Sequence, residues 1–180
     1  GMLGESMLYV RLEGEEYLSQ IGQAPLPPYI HSYKGNPNRY QTVYAAVQGS
    51  AAAPTAGFHF TPELLRSLTR QGVNVVKVTL HVSVDTFLPI AEEDVRTHKI
   101  YSEYVQVTKE AAKQLKESKR VICVGTTSVR TIEQMYRWNG QIGPCEGFAN
   151  IYILPGHSFH FSALITNFHY PRSSNLLLTA

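Results

Sequence analysis

The sequence is poor in cysteine, nearly balanced in charge and without a long apolar run, and each shortage excludes a class of protein. Its only cysteines, Cys123 and Cys145, are far apart and form no CxxC pair, which argues against a disulfide framework or a zinc ribbon. Cys123 lies inside the apolar run Val121-Ile122-Cys123-Val124, where a buried, inert thiol is the expected state. The net charge is +2; so small a total neither marks nor excludes a nucleic-acid binder, because a basic patch fits easily within it. No apolar run is long enough to span a bilayer, and no signal peptide opens the chain. A cytoplasmic protein without membrane association is the expectation. Gly1 before Met2 reads as a tag scar and is left out of the fold reasoning. With 43% apolar and 17% charged residues, the chain has the composition of a folded globular protein rather than a disordered one. Its 180 residues suffice for one good core, or one domain and part of another.

Local signals divide the chain at a polar loop, Ser32 to Asn38, which contains Gly35 and Pro37. Before it, Met7 to Leu12 alternates as a strand does, Glu15 to Ile21 reads as a short helix stopped by Gly22, and Pro25 to Tyr29 is extended because its prolines fix φ. Residues 1–36 are therefore taken as a remnant of an N-terminal or inter-domain segment, and residues 37–180 as an α/β core domain. Within the core, Arg39 to Ala46 is expected to be a short helix. Thr61-Pro62 is a strong helix start, and that helix stops at Gly72. Val73 to Val82 is apolar and β-branched, the pattern of a buried strand. Tyr101 to Val107 alternates as another strand, Thr108 caps a helix to about Ser118, and Val121 to Val124 is a short buried strand. Gly125 opens a helix to Trp138, Ile151–Leu154 and Ala163–Thr166 read as strands, and Ser173 starts a last helix. Strands alternating with helices predict an α/β fold, a partly parallel mixed sheet with flanking helices. Val73–Val82 and Val121–Val124 are expected to be neighbouring strands of that sheet. The final Leu176-Leu177-Leu178-Thr179-Ala180 begins an apolar helical face without a stop signal, so the chain reads as shortened.

Four segments carry residues suited to chemistry. Ala53-Pro54-Thr55-Ala56-Gly57-Phe58-His59 combines small residues, which let backbone approach a ligand closely, with an imidazole between aromatics. His81 lies near the carboxyl end of a strand, where open α/β sheets place their ligands, although a hydrogen-bonded core histidine is the plainer reading. Val124-Gly125-Thr126-Thr127-Ser128-Val129-Arg130 joins a buried strand to a hydroxyl-rich helix start, a setting for an anion or sugar hydroxyls. It lacks the Gly-Lys-Ser/Thr of a Walker loop. Plain capping explains its Thr and Ser but not Arg130, since the helix dipole disfavours a cation there. Leu164 to Ser174 leaves a strand into Asn167, His169, Arg172 and two serines, with aromatics between them, as in a ligand pocket. His157 and His160 have a spacing that could serve a metal on a helix, but Pro155-Gly156 indicates a turn and no third ligand is near. Lys113, Lys116, Lys119 and Arg120 read as a solvated helix face or as contacts for phosphates.

Taken in order, these words resemble the S-adenosylmethionine:tRNA ribosyltransferase-isomerases. The resemblance rests on Pro25-Leu26-Pro27-Pro28-Tyr29-Ile30, Arg39-Tyr40-Gln41-Thr42-Val43-Tyr44, Ala53-Pro54-Thr55-Ala56-Gly57 with His59-Phe60, and Val78-Thr79-Leu80-His81-Val82 with Thr86-Phe87. It continues through Ser102-Glu103, Val124 to Arg130, Pro155-Gly156, and Leu164 to His169 with Pro171. Each word alone is weak; the ordered set across nearly the whole chain is specific. The chain departs from the family at Ser83-Val84-Asp85, where small residues are usual, and at Tyr101, where a histidine is usual. Family members are also roughly twice as long. The resemblance implies the core domain of the family's fold, with most of its β-barrel domain absent.

The resemblance also implies the activity: the ribosyl group of S-adenosylmethionine is transferred to the aminomethyl-deazaguanine base of tRNA and isomerised, adenine and methionine leave, and epoxyqueuosine remains. S-adenosylmethionine is then a substrate, tRNA a partner, and no metal is required. A monomer is expected, completed where necessary by another chain segment. Removal of a proton beside the sulfonium, and protonation of the leaving adenine, call for acid–base groups; the candidates are His59, His81, Glu103 and His169. Thr55, Gly57, Thr126, Thr127, Ser128, Arg130 and Asn167 are the candidates for substrate binding. Among them, the Thr and Ser hydroxyls suit ribose or the methionine carboxylate, and Arg130 suits that carboxylate or a tRNA phosphate. Gly57, His59, His81, Glu103, Thr126, Arg130, Asn167 and His169 are expected to converge on one cleft. The alternative is a non-catalytic nucleoside- or RNA-binding module on the same scaffold. An α/β hydrolase is disfavoured, because no Gly-x-Ser-x-Gly elbow is present.

Overall fold

The computed structural model describes residues 13, 14, 17, 26, 30, 35, 39–83 and 88–180. The expected strand Met7–Leu12, most of the helix Glu15–Ile21, most of Pro25–Tyr29 and of the loop Ser32–Asn38, and Val84 with Asp85 lie outside the described residues.

Helix starts are the most local features, and they fall where their caps are. The Thr61 hydroxyl accepts from the Leu64 N–H at 3.2 Å, and Pro62 opens α1 (Pro62–Arg70). The Thr108 hydroxyl accepts from the Ala111 N–H at 3.2 Å and opens α2 (Lys109–Glu117). Each cap satisfies a donor that the first helical turn leaves free. Helix α2 buries Ala111, Ala112 and Leu115 and turns Lys113 and Lys116 to solvent; Lys119 and Arg120 just beyond it are exposed too. Helix α3 (Thr126–Asn139) is the longest described, and it ends at Gly140 with φ 68°, a left-handed position that favours glycine. Ser173 caps α4 (Ser174–Thr179) by accepting from the Leu176 N–H at 3.2 Å.

Among the described residues, two sheets flank α3. Strands β1 (Thr79–Leu80), β2 (Glu103–Val107) and β4 (Cys145–Ala149) form an antiparallel sheet in the order β1-β2-β4, with Leu80 opposite Val105 and Val105 opposite Gly147. Strands β3 (Ile122–Val124) and β5 (Ala163–Ile165) form a parallel pair, with Cys123 opposite Leu164. The core lies between helices and sheets: Val107, Leu115, Cys123, Val129, Ile132, Met135, Ile151, Ile153 and Leu178 are all buried in one cluster. Among the described residues no helix is long and apolar enough to cross a membrane.

The α/β composition agrees with the sequence, and both parallel and antiparallel pairing occur. The arrangement corrects several expectations. The strands divide between two sheets, so Val73–Val82 and Val121–Val124 are not neighbours: β1 pairs with β2 and β3 with β5. Only Thr79–Leu80 of the β-branched run enters a ladder, while Val73 and Val75 are exposed. An apolar run can reveal strand character but not which backbone will accept its hydrogen bonds. Ile151–Leu154 keeps the alternate burial of a strand, yet the Gln134 side chain of α3 takes the Asn150 and Ile151 N–H groups, each at 3.1 Å. Of the expected helix Arg39–Ala46, only Arg39 is in a 3-10 conformation and the rest forms bends and a turn; the Thr42 N–H bonds to the Gln41 side chain at 2.8 Å, a local competitor of helical pairing. Strand β4 was not expected, because Glu146 and Gly147 are poor strand formers whose place is set by the partner β2.

Candidate active-site cleft

The parallel pair sets the position of the site. β3 and β5 run side by side, so their carboxyl ends release Gly125-Thr126-Thr127 and Thr166-Asn167 at the same edge, where open α/β sheets bind ligands. Gly125 makes the turn with φ 83° and ψ 150°, a region essentially reserved for glycine, while its N–H bonds to the Ile165 carbonyl at 2.8 Å. The segment Ala52 to Ala56 closes over this edge, and the Asn167 amide donates to the Thr55 hydroxyl at 3.0 Å. The result is a cleft of about 210 Å³, lined by Thr55, Val82, Glu103, Thr126, Thr127, Arg130, Thr166, Asn167, His169, Tyr170 and neighbours.

Its floor is an ion pair. Alternate residues of β2 point to the core, so Glu103 faces inward with Val105 and Val107 and is only 4% exposed. A lone carboxylate there would carry a large desolvation cost. Arg130, from the second turn of α3, meets it: Nη1 donates to Glu103 Oε2. The Ser83 N–H donates to the other oxygen, Oε1, at 2.9 Å. The carboxylate thus accounts for the cation near the helix start that capping alone leaves unexplained. Arg130 Nε and Nη2 are shut from solvent and have no hydrogen-bond partner among the described residues.

His169 lines the same cleft. Its Nε2 lies 3.1 Å from the Thr166 hydroxyl, and burial pulls its pKa below the ordinary 6.5, because desolvation disfavours the imidazolium. The ring is therefore neutral at pH 7, the form that can take up a proton.

Glu103, Thr126, Arg130, Asn167 and His169 come together, with Thr55 and Thr127 beside them. The convergence expected for His59 and His81 does not occur. His59 is exposed at the end of the 3-10 turn Thr55–His59, away from the cleft lining. His81 stacks on Tyr104 with ring centroids 5.3 Å apart. Because the pleat turns Glu103 inward, Tyr104 points to the outer face, and His81 goes with it. Ser128 donates to the Val124 carbonyl at 2.8 Å and is absent from the cleft lining. Gly57 is buried just behind: a Cβ there would lie 2.7 Å from the Thr42 methyl carbon and nearer still to the Tyr44 hydroxyl. Its role is close packing of the segment that carries Thr55. Thr166, Tyr170 and Val82 line the cleft without having been singled out; their signal was membership of the same strand-exit words.

His157 and His160 serve a second buried carboxylate. Glu133 of α3, 1% exposed, lies 3.0 Å from His157 Nε2 and 2.8 Å from His160 Nδ1, and it accepts the His160 N–H at 2.8 Å. The turn at Pro155-Gly156 is thereby fastened to the helix. Among the described residues no group of three or more His, Cys, Asp or Glu side chains could hold a metal ion.

A deep ion pair, a neutral imidazole and hydroxyls at a strand–helix turn define an α/β protein with a cleft at the exits of its parallel strands. Residues 3–180 match the family described as queuosine biosynthesis protein. The chain belongs to that family. It is 49% identical over 183 residues to an S-adenosylmethionine:tRNA ribosyltransferase-isomerase of Dehalococcoides mccartyi, which covers 98% of this chain and 53% of the relative. The relative of that name from Desulfitobacterium hafniense is 49% identical over 171 residues, 92% of this chain and 50% of the relative. That from Staphylococcus aureus is 46% identical over 186 residues, 98% and 54%. The chain spans about half the length of the curated relatives it matches.

Proposed function

We propose that this chain supplies the S-adenosylmethionine site of a tRNA ribosyltransferase-isomerase, the activity in its relatives' names. The observation that carries the reading is the meeting of His169, Asn167, Thr126, Thr127 and the Glu103–Arg130 pair in one cleft at the exits of β3 and β5. His169 is the group for proton transfer, since it is neutral at pH 7, half-sheltered and, among the described residues, paired with the Thr166 hydroxyl and not with a carboxylate. Glu103 is committed to Arg130 and to the Ser83 N–H, so its part is to position the guanidinium rather than to exchange protons. Thr126, Thr127 and Asn167 provide donors and acceptors for ribose hydroxyls and base edges. His59, His81, Ser128 and Gly57 take no direct part in this reading: the first two lie away from the lining, Ser128 donates to the Val124 carbonyl, and Gly57 serves close packing.

The tRNA is held by surface beyond this chain's own cleft, because phosphate contacts spread over a wide basic face. The expected behaviour is that these residues bind S-adenosylmethionine alone and complete the ring-forming transfer when joined to the remaining half of a relative. To test this, the matching half of a full-length relative is replaced by this sequence. The chimera is given S-adenosylmethionine and tRNA bearing the aminomethyl-deazaguanine, and digested nucleosides are read by mass spectrometry. Epoxyqueuosine is the expected product. A folded chimera that binds tRNA but makes none would favour a non-catalytic module.

A further inference from the structure

Phe168 is fully exposed (107%), and it is also one of the residues that line the cleft. Its neighbours hold it in that position. Beyond β5, the Asn167 amide donates to the Thr55 hydroxyl at 3.0 Å, and His169 Nε2 lies 3.1 Å from the Thr166 hydroxyl. Both side chains are partly buried. The residue between two inward ones takes the outward place, and Tyr170, 62% exposed, follows the same alternation. Among the described residues no aromatic ring pairs with Phe168, so its faces are open.

Single exposed apolar side chains are common on protein surfaces. What sets Phe168 apart is its place on the rim of a cleft. The Asn167 amide and the His169 imidazole adjoin it, and two further aromatics, Tyr40 and Tyr170, belong to the same lining. An open aromatic face next to hydrogen-bonding side chains is the combination that recognises an unstacked nucleobase: the ring takes the face of the base and the polar groups take its edge.

We propose that Phe168 is a stacking platform for a purine-type ring. The inference rests on the reading of the cleft as the S-adenosylmethionine site of a tRNA-modifying enzyme. Two rings of this class enter that reaction, the adenine of S-adenosylmethionine and the deazaguanine of the tRNA, and the stacking chemistry is the same for both. Two rival occupants of an open aromatic face are a cation, here the sulfonium, and a protein segment from the remaining half of a relative.

The test compares wild type with Phe168→Ala and Phe168→Trp. Because the ring is fully exposed, Phe168→Ala should leave the melting temperature of the chain unchanged. Calorimetry then uses three probes: S-adenosylmethionine; S-adenosylhomocysteine, which keeps the adenine and loses the sulfonium charge; and the nucleoside of aminomethyl-deazaguanine. Phe168→Ala should weaken the two adenosyl compounds together, or the deazaguanine nucleoside, by roughly 5- to 100-fold, the worth of one base stacked on an aromatic ring. Phe168→Trp, which keeps a stacking face, should bind that ligand at least as tightly as wild type. Loss with the adenosyl pair assigns the platform to adenine; loss with the nucleoside assigns it to the acceptor base. Loss with S-adenosylmethionine alone marks a cation–π contact and overturns the proposal, as does unchanged affinity for every probe that wild type binds. Both of those outcomes leave the proposed function standing. A nucleoside that binds through Phe168 to a chain that takes neither adenosyl compound supports this inference against the proposed function, and absence of all binding removes both. In the chimera without ligand, Phe168→Ala should again leave the melting temperature unchanged. A clear drop there would show that the other half covers Phe168, and would overturn the proposal.

Discussion

Glu103 and Arg130 show how much a single inward residue can demand of its neighbours. Both are largely shielded, so removing one strands the other as an unpaired buried charge, which costs about 3–5 kcal/mol. Glu103→Ala is expected to lower the unfolding free energy by about 3 kcal/mol, read from urea denaturation. His169 should leave a mark on pH dependence. Its folded pKa is depressed by burial from the ordinary 6.5, so its contribution to stability is present above that value and is lost as pH falls through the depressed one. The melting temperature of wild type should therefore fall more steeply from pH 7 to pH 5 than that of His169→Gln; equal slopes would contradict the assignment. The cysteines differ as the sequence predicts for Cys123. Burial, with the Glu133 carboxylate adding to it, pushes the Cys123 thiol up to about 12, while Cys145 is half-buried with a smaller upward shift from desolvation. A thiol reagent at pH 8 should label Cys145 first in the folded chain and reach Cys123 only on unfolding.

At the scale of elements, the turn into α3 is the most constrained point. Gly125 holds φ 83° and ψ 150°, and a Cβ there would lie 3.2 Å from the Thr127 hydroxyl. Gly125→Ala is expected to cost about 1–3 kcal/mol and to weaken substrate binding, since it shifts Thr126 and Thr127. Guanidine denaturation and calorimetry on the same variant check both. Thr108 offers a control at a distance from the cleft. Its hydroxyl caps α2, so Thr108→Ala should cost about 1 kcal/mol with affinity unchanged. The caps at Thr61, Thr108 and Ser173 were readable because a cap is a contract between residues three apart in sequence. The pairing of strands was not, because a ladder partner can lie far away: Val105 meets Gly147 and Cys123 meets Leu164.

For the whole molecule, α3 is the organiser. It packs against strands of both sheets, supplies Arg130 to the cleft, and supplies Gln134 and Glu133 to the segments at 150–151 and 157–160. Its last turn carries the only tryptophan, Trp138, whose ring lies over Gly147 of β4; a Cβ there would sit 3.3 Å from Trp138 Cη2. A helix shared in this way couples the sheets, so urea unfolding followed by far-ultraviolet circular dichroism and by Trp138 fluorescence should give coincident transitions. Separate midpoints would mean that the two sheets unfold independently.

Sequence alone determined the family, the positions of the caps and the strand-exit words that line the cleft, because each depends on residue types at short, fixed spacing. Three-dimensional packing decided the rest. His59 and His81 have the chemistry of catalytic groups and sit within the family's words, yet an exposed turn takes one away, and the alternation of β1 and β2 turns the other onto Tyr104. Glu103 and Arg130 are separated by 27 positions, and nothing local requires them to meet. What joins them is the need of an inward carboxylate for a cation, met only when α3 crosses the face of β2.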